Sequence, residues 1–221
     1  MTATSPSPRT PKVMRGAIVG IDIFNPISSI AIFQYNPEQI SRSIAPQYGG
    51  GASGAGSAKT EPLRLVGPPA ETISANLKLD LIDQMEEGKN GPLGSGISGQ
   101  LAALEMLVYP KSISVAINQA MLLGGMMEVV PPAAPLTLFI YGITTIVPVK
   151  IESLSITETA HDPSLHPIRA DVSLGMKVLT YNDLSMTNPG YWAFMAHQVI
   201  KETLATIASV NNAANAVGLD L

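Results

Sequence analysis

The sequence has no cysteine and few charged residues, and each shortage limits what the protein can do. Without cysteine it can form no disulfide and carry out no thiolate chemistry, which fits a reducing cytoplasm. Only 14% of the 221 residues are charged, about half of the fraction usual in soluble domains. A surface with so little charge is expected to be covered in part by partner proteins.

A basic surface and a membrane segment are also missing from the sequence. The net charge of −4 provides no basic patch, so we expect no nucleic-acid partner. The Ser/Thr/Pro-rich residues 1–14 are followed by no long apolar run, which predicts a flexible tail and no signal peptide. Residues 129–149 carry no charge over the length of a bilayer-spanning helix, but four prolines interrupt them. Buried strands are therefore predicted there, with no direct insertion into a membrane.

Three predicted antiparallel strands organise the chain. Residues 136–141 are a dense run of β-forming side chains that stops at Gly142, and a second strand covers residues 146–158. In the third strand, residues 168–178, apolar and polar side chains alternate, which predicts that one face of it is buried. The inward-facing positions of the second strand change from odd to even numbers near Glu152, so a β-bulge is predicted there.

The same patterns place the remaining elements along the chain. Further strands are predicted at residues 16–24, 28–35, 39–44 and 71–83, with a brief strand at 113–117. Helices are predicted at residues 98–109 and 189–207, the second with Asn188 as its N-cap. Flexible loops are expected at residues 45–62 and 84–97, and a C-terminal tail at residues 208–221, frayed from residue 211 onward. The predicted class is therefore mainly β, with a short middle helix and a C-terminal helix.

No catalytic site and no cofactor site are predicted. A glycine-rich stretch contains G-x-G-x-x-G at Gly49, Gly51 and Gly54, but no helix opens after it, so no dinucleotide cofactor is expected. Serine, lysine and carboxylate residues are scattered without the spacing of a nucleophile or of an acid–base pair. We therefore expect a protein that is not an enzyme and that carries no cofactor.

Histidine is the remaining candidate for metal binding. His161 and His166 flank Asp162 in one predicted loop, a spacing at which two imidazoles could share a metal ion. No cysteine and no further carboxylate cluster completes such a site, so a turn held by Asp162 is the favoured interpretation. His197 lies beside the apolar stripe of the last helix and is expected to be half-buried and structural. No metal site is predicted.

A methionine-rich segment is the candidate contact surface. Residues 121–127 are predicted to form an exposed loop between turn residues, and flexible Met side chains often lie at partner contacts. A filler of the core beneath a loop is the alternative interpretation. The residues predicted to contact another subunit are Met121, Leu122, Leu123, Met126 and Met127.

A family resemblance rests on the order of several short motifs. Residues 33–43, FQYNPEQISRS, resemble the F-x-[FY]-N-P-x-x-[IL]-x-R segment near the start of tube-type baseplate proteins in bacterial contractile injection systems, which are phage-tail-like particles. Further along, the motifs LTLFIYG, VPVKI, SITE, PIRA and VLTY follow the order of that family's central strands. The resemblance covers about residues 15–205.

The resemblance implies a fold and a set of partners. The fold is tail-tube-like, an antiparallel β-barrel or two packed sheets with flanking helices, over residues 15–207. The assembly is a homo-hexameric ring with a trimeric spike protein on one side and an inner-tube protein or second adaptor ring on the other. Such a ring initiates the tube, contacts surrounding baseplate proteins and assembles in the bacterial cytoplasm. The LysM-like domain of many members is not expected here, so glycan binding is not implied.

Two alternatives remain open. One is the ordinary inner-tube protomer, which repeats along the particle and differs from an initiator in its copy number. The other belongs to a different class of protein, a β-barrel module that binds a small apolar ligand.

Overall fold

One antiparallel sheet of seven strands forms the body of the protein. The computed structural model describes residues 14–21, 30–33, 36–48, 65–82, 97–125 and 134–217. The strands are β1 (Ala17–Ile21), β2 (Ile30–Ile32), β3 (Ile40–Ala45), β4 (Ala70–Asp80), β5 (Leu136–Tyr141), β6 (Thr145–His161) and β7 (Pro167–Val178). Their order across the sheet is β2-β1-β5-β6-β7-β4-β3, and every neighbouring pair is antiparallel. The mainly β class is confirmed, but this sheet is open, whereas the resemblance implies a barrel or two packed sheets.

The three central strands lie where the sequence predicts them. β5 ends at the predicted glycine turn, and β6 and β7 form a long hairpin. Within this hairpin Ile151 pairs with Met176, whereas Ser153 pairs with Gly175. Glu152 is therefore one residue more than the facing strand supplies, and the predicted bulge is confirmed. The bulge keeps the apolar side chains of β6 on one face although their numbering changes from odd to even.

Three helices accompany the sheet, namely α1 (Ser98–Glu105), α2 (Ser112–Leu123) and α3 (Pro189–Val217). α1 and α3 confirm the two predicted helices. The Oδ1 atom of Asn188 accepts a hydrogen bond from the backbone N–H of Gly190 at 2.9 Å, as an N-terminal cap does. α3 runs past its predicted end at Ile207, where a C-terminal tail was expected. Four alanines in residues 208–217 favour the helical conformation there.

The predicted brief strand at residues 113–117 is wrong, because these residues belong to α2. Its three β-branched residues alternate as in a strand, but residues 119–123 continue with Gln, Ala, Met and Leu, which favour a helix. Five alternating residues are too few to distinguish the two periods. The loop predicted at residues 121–127 is likewise replaced, over its first three residues, by the last turn of α2. Met126 and Met127 lie outside the described residues.

The predicted flexible segments fall almost entirely outside the described residues. This holds for the tail at residues 1–14 and for the loops at residues 45–62 and 84–97. At the base of the first loop, Tyr48 and Leu65 form an isolated antiparallel bridge.

One face of the sheet carries the hydrophobic core. The buried side chains that the strands and their ends contribute to it are Ile18, Phe33, Ile73, Ala75, Leu77, Leu79, Phe139, Val147, Val149, Ala170, Val172, Leu174, Met176 and Val178. Ile97, Leu101 and Leu104, at the start of α1 and within it, join this cluster, and so does Phe194 of α3. The alternation predicted for β4 and β7 is therefore confirmed, with one face of each strand in the core.

The sheet must be curled, because the chain that connects its two edges is too short to cross a flat sheet. β2 and β3 lie at opposite edges, and a flat sheet of seven strands is about 29 Å wide. Asn36 is fixed beside the start of β1: its Oδ1 atom accepts the N–H of Gly16 at 2.9 Å, and its Nδ2 atom donates to the carbonyl oxygen of Met14 at 2.8 Å. From there to Ile40, the first residue of β3, the chain reaches at most about 14 Å.

Candidate functional site

A cleft with a volume of about 670 Å³ lies between β4 and the segment that leads into β3. Residues 36–39 form one wall, and polar side chains of β4 and β7 form the other. Its two cations are each engaged by a carboxylate of the cleft. Lys78 Nζ lies 3.5 Å from Glu38 Oε1, and Arg169 Nε donates to Asp80 Oδ2 at 2.6 Å. Because these charges are paired within the cleft, it offers no concentrated charge to a ligand.

The motif that carries the family resemblance has clear structural contacts. Phe33 is buried beside Phe139, with ring centroids 6.2 Å apart. Asn36 fixes the start of β1, as described above, and Arg42 of β3 donates to the carboxylate of Glu71 on β4. These three residues therefore hold the two edges of the sheet in place.

Glu71 connects three elements through one carboxylate. It is 5% exposed on the core face of β4. Its Oε1 atom accepts the Nε–H of Arg42 at 2.9 Å, and its Oε2 atom accepts from Lys201 Nζ of α3 at 3.2 Å. Burial by itself raises the pKa of Glu71, but the hydrogen bond from Arg42 and the charge of Lys201 outweigh burial and lower the pKa. The charged carboxylate thus links β3, β4 and α3.

His197 lies one turn before Lys201 on α3 and is 5% exposed, more buried than the sequence predicts. Its Nδ1 atom is 2.9 Å from the carbonyl oxygen of Thr144, so Nδ1 carries a hydrogen and donates it. Its Nε2 atom is buried without a hydrogen-bond partner in the part of the chain that the structure describes. Burial is the largest influence on the pKa of His197 and lowers it; the hydrogen bond to Thr144 raises the pKa, and the charges of Lys201 and Arg42 lower it by smaller amounts, so that the net shift is downward.

The loop between β6 and β7 contains the other two histidines. His161 Nε2 is 3.0 Å from Glu158 Oε2, and His166 Nδ1 is 3.1 Å from Asp162 Oδ2. The Oδ1 atom of Asp162 also accepts the backbone N–H groups of Ser164 and His166, and the latter bond is the main cause of its lowered pKa. The predicted turn held by Asp162 is confirmed. Among the described residues, no three His, Cys, Asp or Glu side chains are grouped to hold a metal ion.

The face of the sheet opposite the core is divided into two halves. Over β4 and β7 it is polar, with side chains such as Lys78 and Asp171, which face each other across the two strands. Over β1, β2 and the start of β6 the same face is apolar. Its exposed members are Ile21, Ile30, Ile32 and Ile146. Ile32, 62% exposed, pairs with Ala17 of β1 on the edge strand, so the apolar half reaches the free edge of the sheet.

Helix α2 has no buried residue and no charged residue. Its exposed apolar side chains are Ile113, Val115, Ile117, Met121, Leu122 and Leu123. A helix of twelve residues with apolar side chains on several faces gains little stability alone in water. The described part of the chain leaves these side chains exposed.

The C-terminal half of α3 has the same character. Residues 203–217 contain no charge, and Leu204, Ile207 and Val210 are exposed. The hydroxyl groups of this half bond to the backbone of the preceding turn; for example, Thr206 Oγ1 donates to the carbonyl oxygen of Glu202 at 2.9 Å. Satisfied hydroxyls of this kind present few polar groups to a neighbour.

The predicted contact residues are exposed as far as the structure describes them. Met121, Leu122 and Leu123 form the last turn of α2, and Leu123 is 89% exposed. The apolar half of α3 was not predicted as a contact surface. The signal that could have revealed it is the absence of charge over residues 203–217, which a search for methionine-rich loops does not detect.

The chain matches no protein-family model, and no curated protein matches it in sequence. None of the helices that the structure describes is long and apolar enough to cross a membrane.

Proposed function

We propose that this protein is a structural subunit of a contractile injection particle, in which six copies form a ring that connects the trimeric spike with the inner tube and starts tube assembly. The resemblance of residues 33–43 to the tube-type baseplate family supports this proposal. One structural observation carries it: the described residues leave apolar, charge-free surfaces uncovered on α2, on α3 and on the sheet.

These surfaces suit contact between copies of the chain. Soluble monomers seldom expose contiguous apolar patches of more than a few hundred Å². Here the described residues expose three groups of apolar side chains in a chain with 14% charged residues. Rings of identical subunits bury surfaces of this kind in each copy.

The free edges of the sheet support the same proposal. β2 and β3 each pair on one side only among the described residues. Monomeric proteins usually protect such edges with lysine or proline. Neither strand contains either residue, and Arg42 of β3 is turned onto Glu71. The six-residue edge of β3 is therefore suited to pair with a strand of a neighbouring subunit, more so than β2 with its three residues.

The test is native mass spectrometry of the purified full-length chain. We expect a hexamer, and in isolated particles a copy number of one ring; many rings per particle would instead identify the repeating inner-tube protomer. A monomer at all accessible concentrations, or a monomer loaded with a small molecule, would overturn the proposal. For a ligand-binding barrel the structure offers no support, because the inner face of the described sheet is filled by side chains.

A matched pair of variants tests the contact surface. Leu123→Glu places a charge on the most exposed apolar residue of α2 and is expected to reduce hexamer formation at least tenfold, because burying an unpaired charge is costly. Gln119→Glu adds the same charge on the same helix at an exposed polar position and is expected to assemble normally. Circular dichroism should give the same fold for both. Equal assembly of both variants would remove α2 from the interface.

A further inference from the structure

The contacts of α3 suggest a response to acid that is separate from assembly. Beyond its first turn, several side chains fix this helix to the rest of the chain, and three of them matter here. Phe194 joins the core, His197 donates to the Thr144 carbonyl oxygen at 2.9 Å, and Lys201 reaches Glu71 at 3.2 Å. They recur at spacings of three and four residues, so they share one side of the helix. No backbone pairing of the sheet includes α3, so the helix can leave without breaking a strand pair.

We propose that His197 is a proton-sensitive latch, which holds α3 against the sheet at neutral pH and releases it in mildly acidic solution. The neutral ring is compatible with this site, because its Nδ1–H donates to an acceptor and only its unprotonated Nε2 atom is unpaired. Burying an unpaired neutral nitrogen costs less free energy than burying an unpaired N–H of a charged ring. A second proton would place an N–H group on Nε2. That atom is buried and has no partner among the described residues.

The charges around His197 also disfavour its protonation. Lys201 on α3 and Arg42 on β3 are cations that act on the ring, and Glu71 on β4 is the one anion among the groups that influence it. Both cations already bind the Glu71 carboxylate. An imidazolium would therefore add a third positive charge to a cluster with one negative charge.

The direction of the pH effect follows from proton binding. The ordinary pKa of histidine is 6.5, and the docked ring has a lowered pKa, so the released helix binds more protons than the docked one. Docking is therefore strongest above pH 6.5 and weakens as the pH falls below it. Between pH 7.5 and pH 5.5 the equilibrium for release is expected to rise by up to about tenfold, the limit set by the ordinary pKa of histidine. Glu71 stays ionised through this window because its pKa lies below 4.5.

Hydrogen exchange of the full-length protein at pH 7.5 and 5.5 tests the latch, with rates corrected for intrinsic pH dependence. We expect the protection factors of residues 194–201 to fall at pH 5.5 by more than twofold and up to about tenfold, while those of β7 stay within twofold. Light scattering at both pH values records the oligomeric state, so that dissociation of an assembly is not mistaken for release of the helix. Unchanged protection of α3 would overturn the proposal.

His197→Asn is the matched variant. The Asn side-chain N–H can replace Nδ1–H as the donor to Thr144, but it does not titrate, so the acid response of α3 is expected to disappear. His161→Asn removes an exposed histidine and should leave the response as in the unmodified protein. If the first variant fails to fold, NMR titration of His197 in the unmodified protein decides the question. A midpoint below 6.5 supports the latch, and a midpoint at or above 6.5 overturns it.

Discussion

At the scale of single residues, Gly175 shows how the bulge of β6 constrains the facing strand. A Cβ atom at this position would collide with the Oγ atom of Ser153, which the bulge places opposite it. The alternating pattern of β7 gives residue 175 a polar-face position, where many small residues would be acceptable. Only the pairing with the bulge explains why this position requires glycine.

Gly175→Ala is therefore expected to destabilise the protein by about 1–3 kcal/mol, because the added methyl group overpacks the hairpin. Urea unfolding followed by circular dichroism measures the change. Combining it with Ser153→Ala, which removes the colliding oxygen, should recover most of the loss. Gly99→Ala in α1 is the control, since a Cβ atom there meets nothing within 4 Å. A loss at Gly99 as large as at Gly175 would contradict this explanation.

At the scale of elements, the sequence predicted the strands and missed the environment of the helices. The strands of the central hairpin were predicted because their alternation extends over ten residues or more, and the change of phase near Glu152 revealed the bulge. The start of α2 was predicted wrongly because only five residues alternate, and so short a stretch does not distinguish the period of a strand from that of a helix. The ion pair of Glu71 with Lys201 joins residues far apart in the chain, and no local pattern carries that contact.

The exposed half of α3 gives a prediction about its dynamics. In the free subunit the amides of residues 205–217 should exchange rapidly, because no described side chain of this stretch is buried and a helix end without packing frays. In the assembled ring they should become protected by at least tenfold. Hydrogen exchange of the Leu123→Glu variant and of the assembled protein provides the comparison, with β7 as the internal reference. Equal protection in both states would exclude this half of α3 from the subunit contacts.

At the scale of the whole molecule, the distribution of charge predicts how an assembly responds to salt. On the polar half of the sheet face Lys78 faces Asp171 and Lys150 faces Lys177, whereas the uncovered surfaces on α2 and α3 contain no charge. Contacts through such surfaces depend on apolar burial, which salt does not screen.

The oligomer is therefore expected to persist when sodium chloride is raised from 0.1 to 1 M. Sedimentation velocity at the two salt concentrations measures this, and low concentrations of urea should dissociate the oligomer at either one. A fall in the oligomeric fraction of more than tenfold at 1 M salt would mean that charged groups hold the subunits together.

The link between β2 and β3 also limits how many strands of other subunits can insert between the two free edges of the sheet. Near Asn36 the gap between these two edges is no wider than about 14 Å, the distance that the four residues from Asn36 to Ile40 can span. Because neighbouring strands lie about 4.8 Å apart, this gap has room for at most about two inserted strands. A third strand could insert only after the hydrogen bonds of Asn36 to Gly16 and Met14 break, so these two bonds limit how far the edges of each subunit can separate.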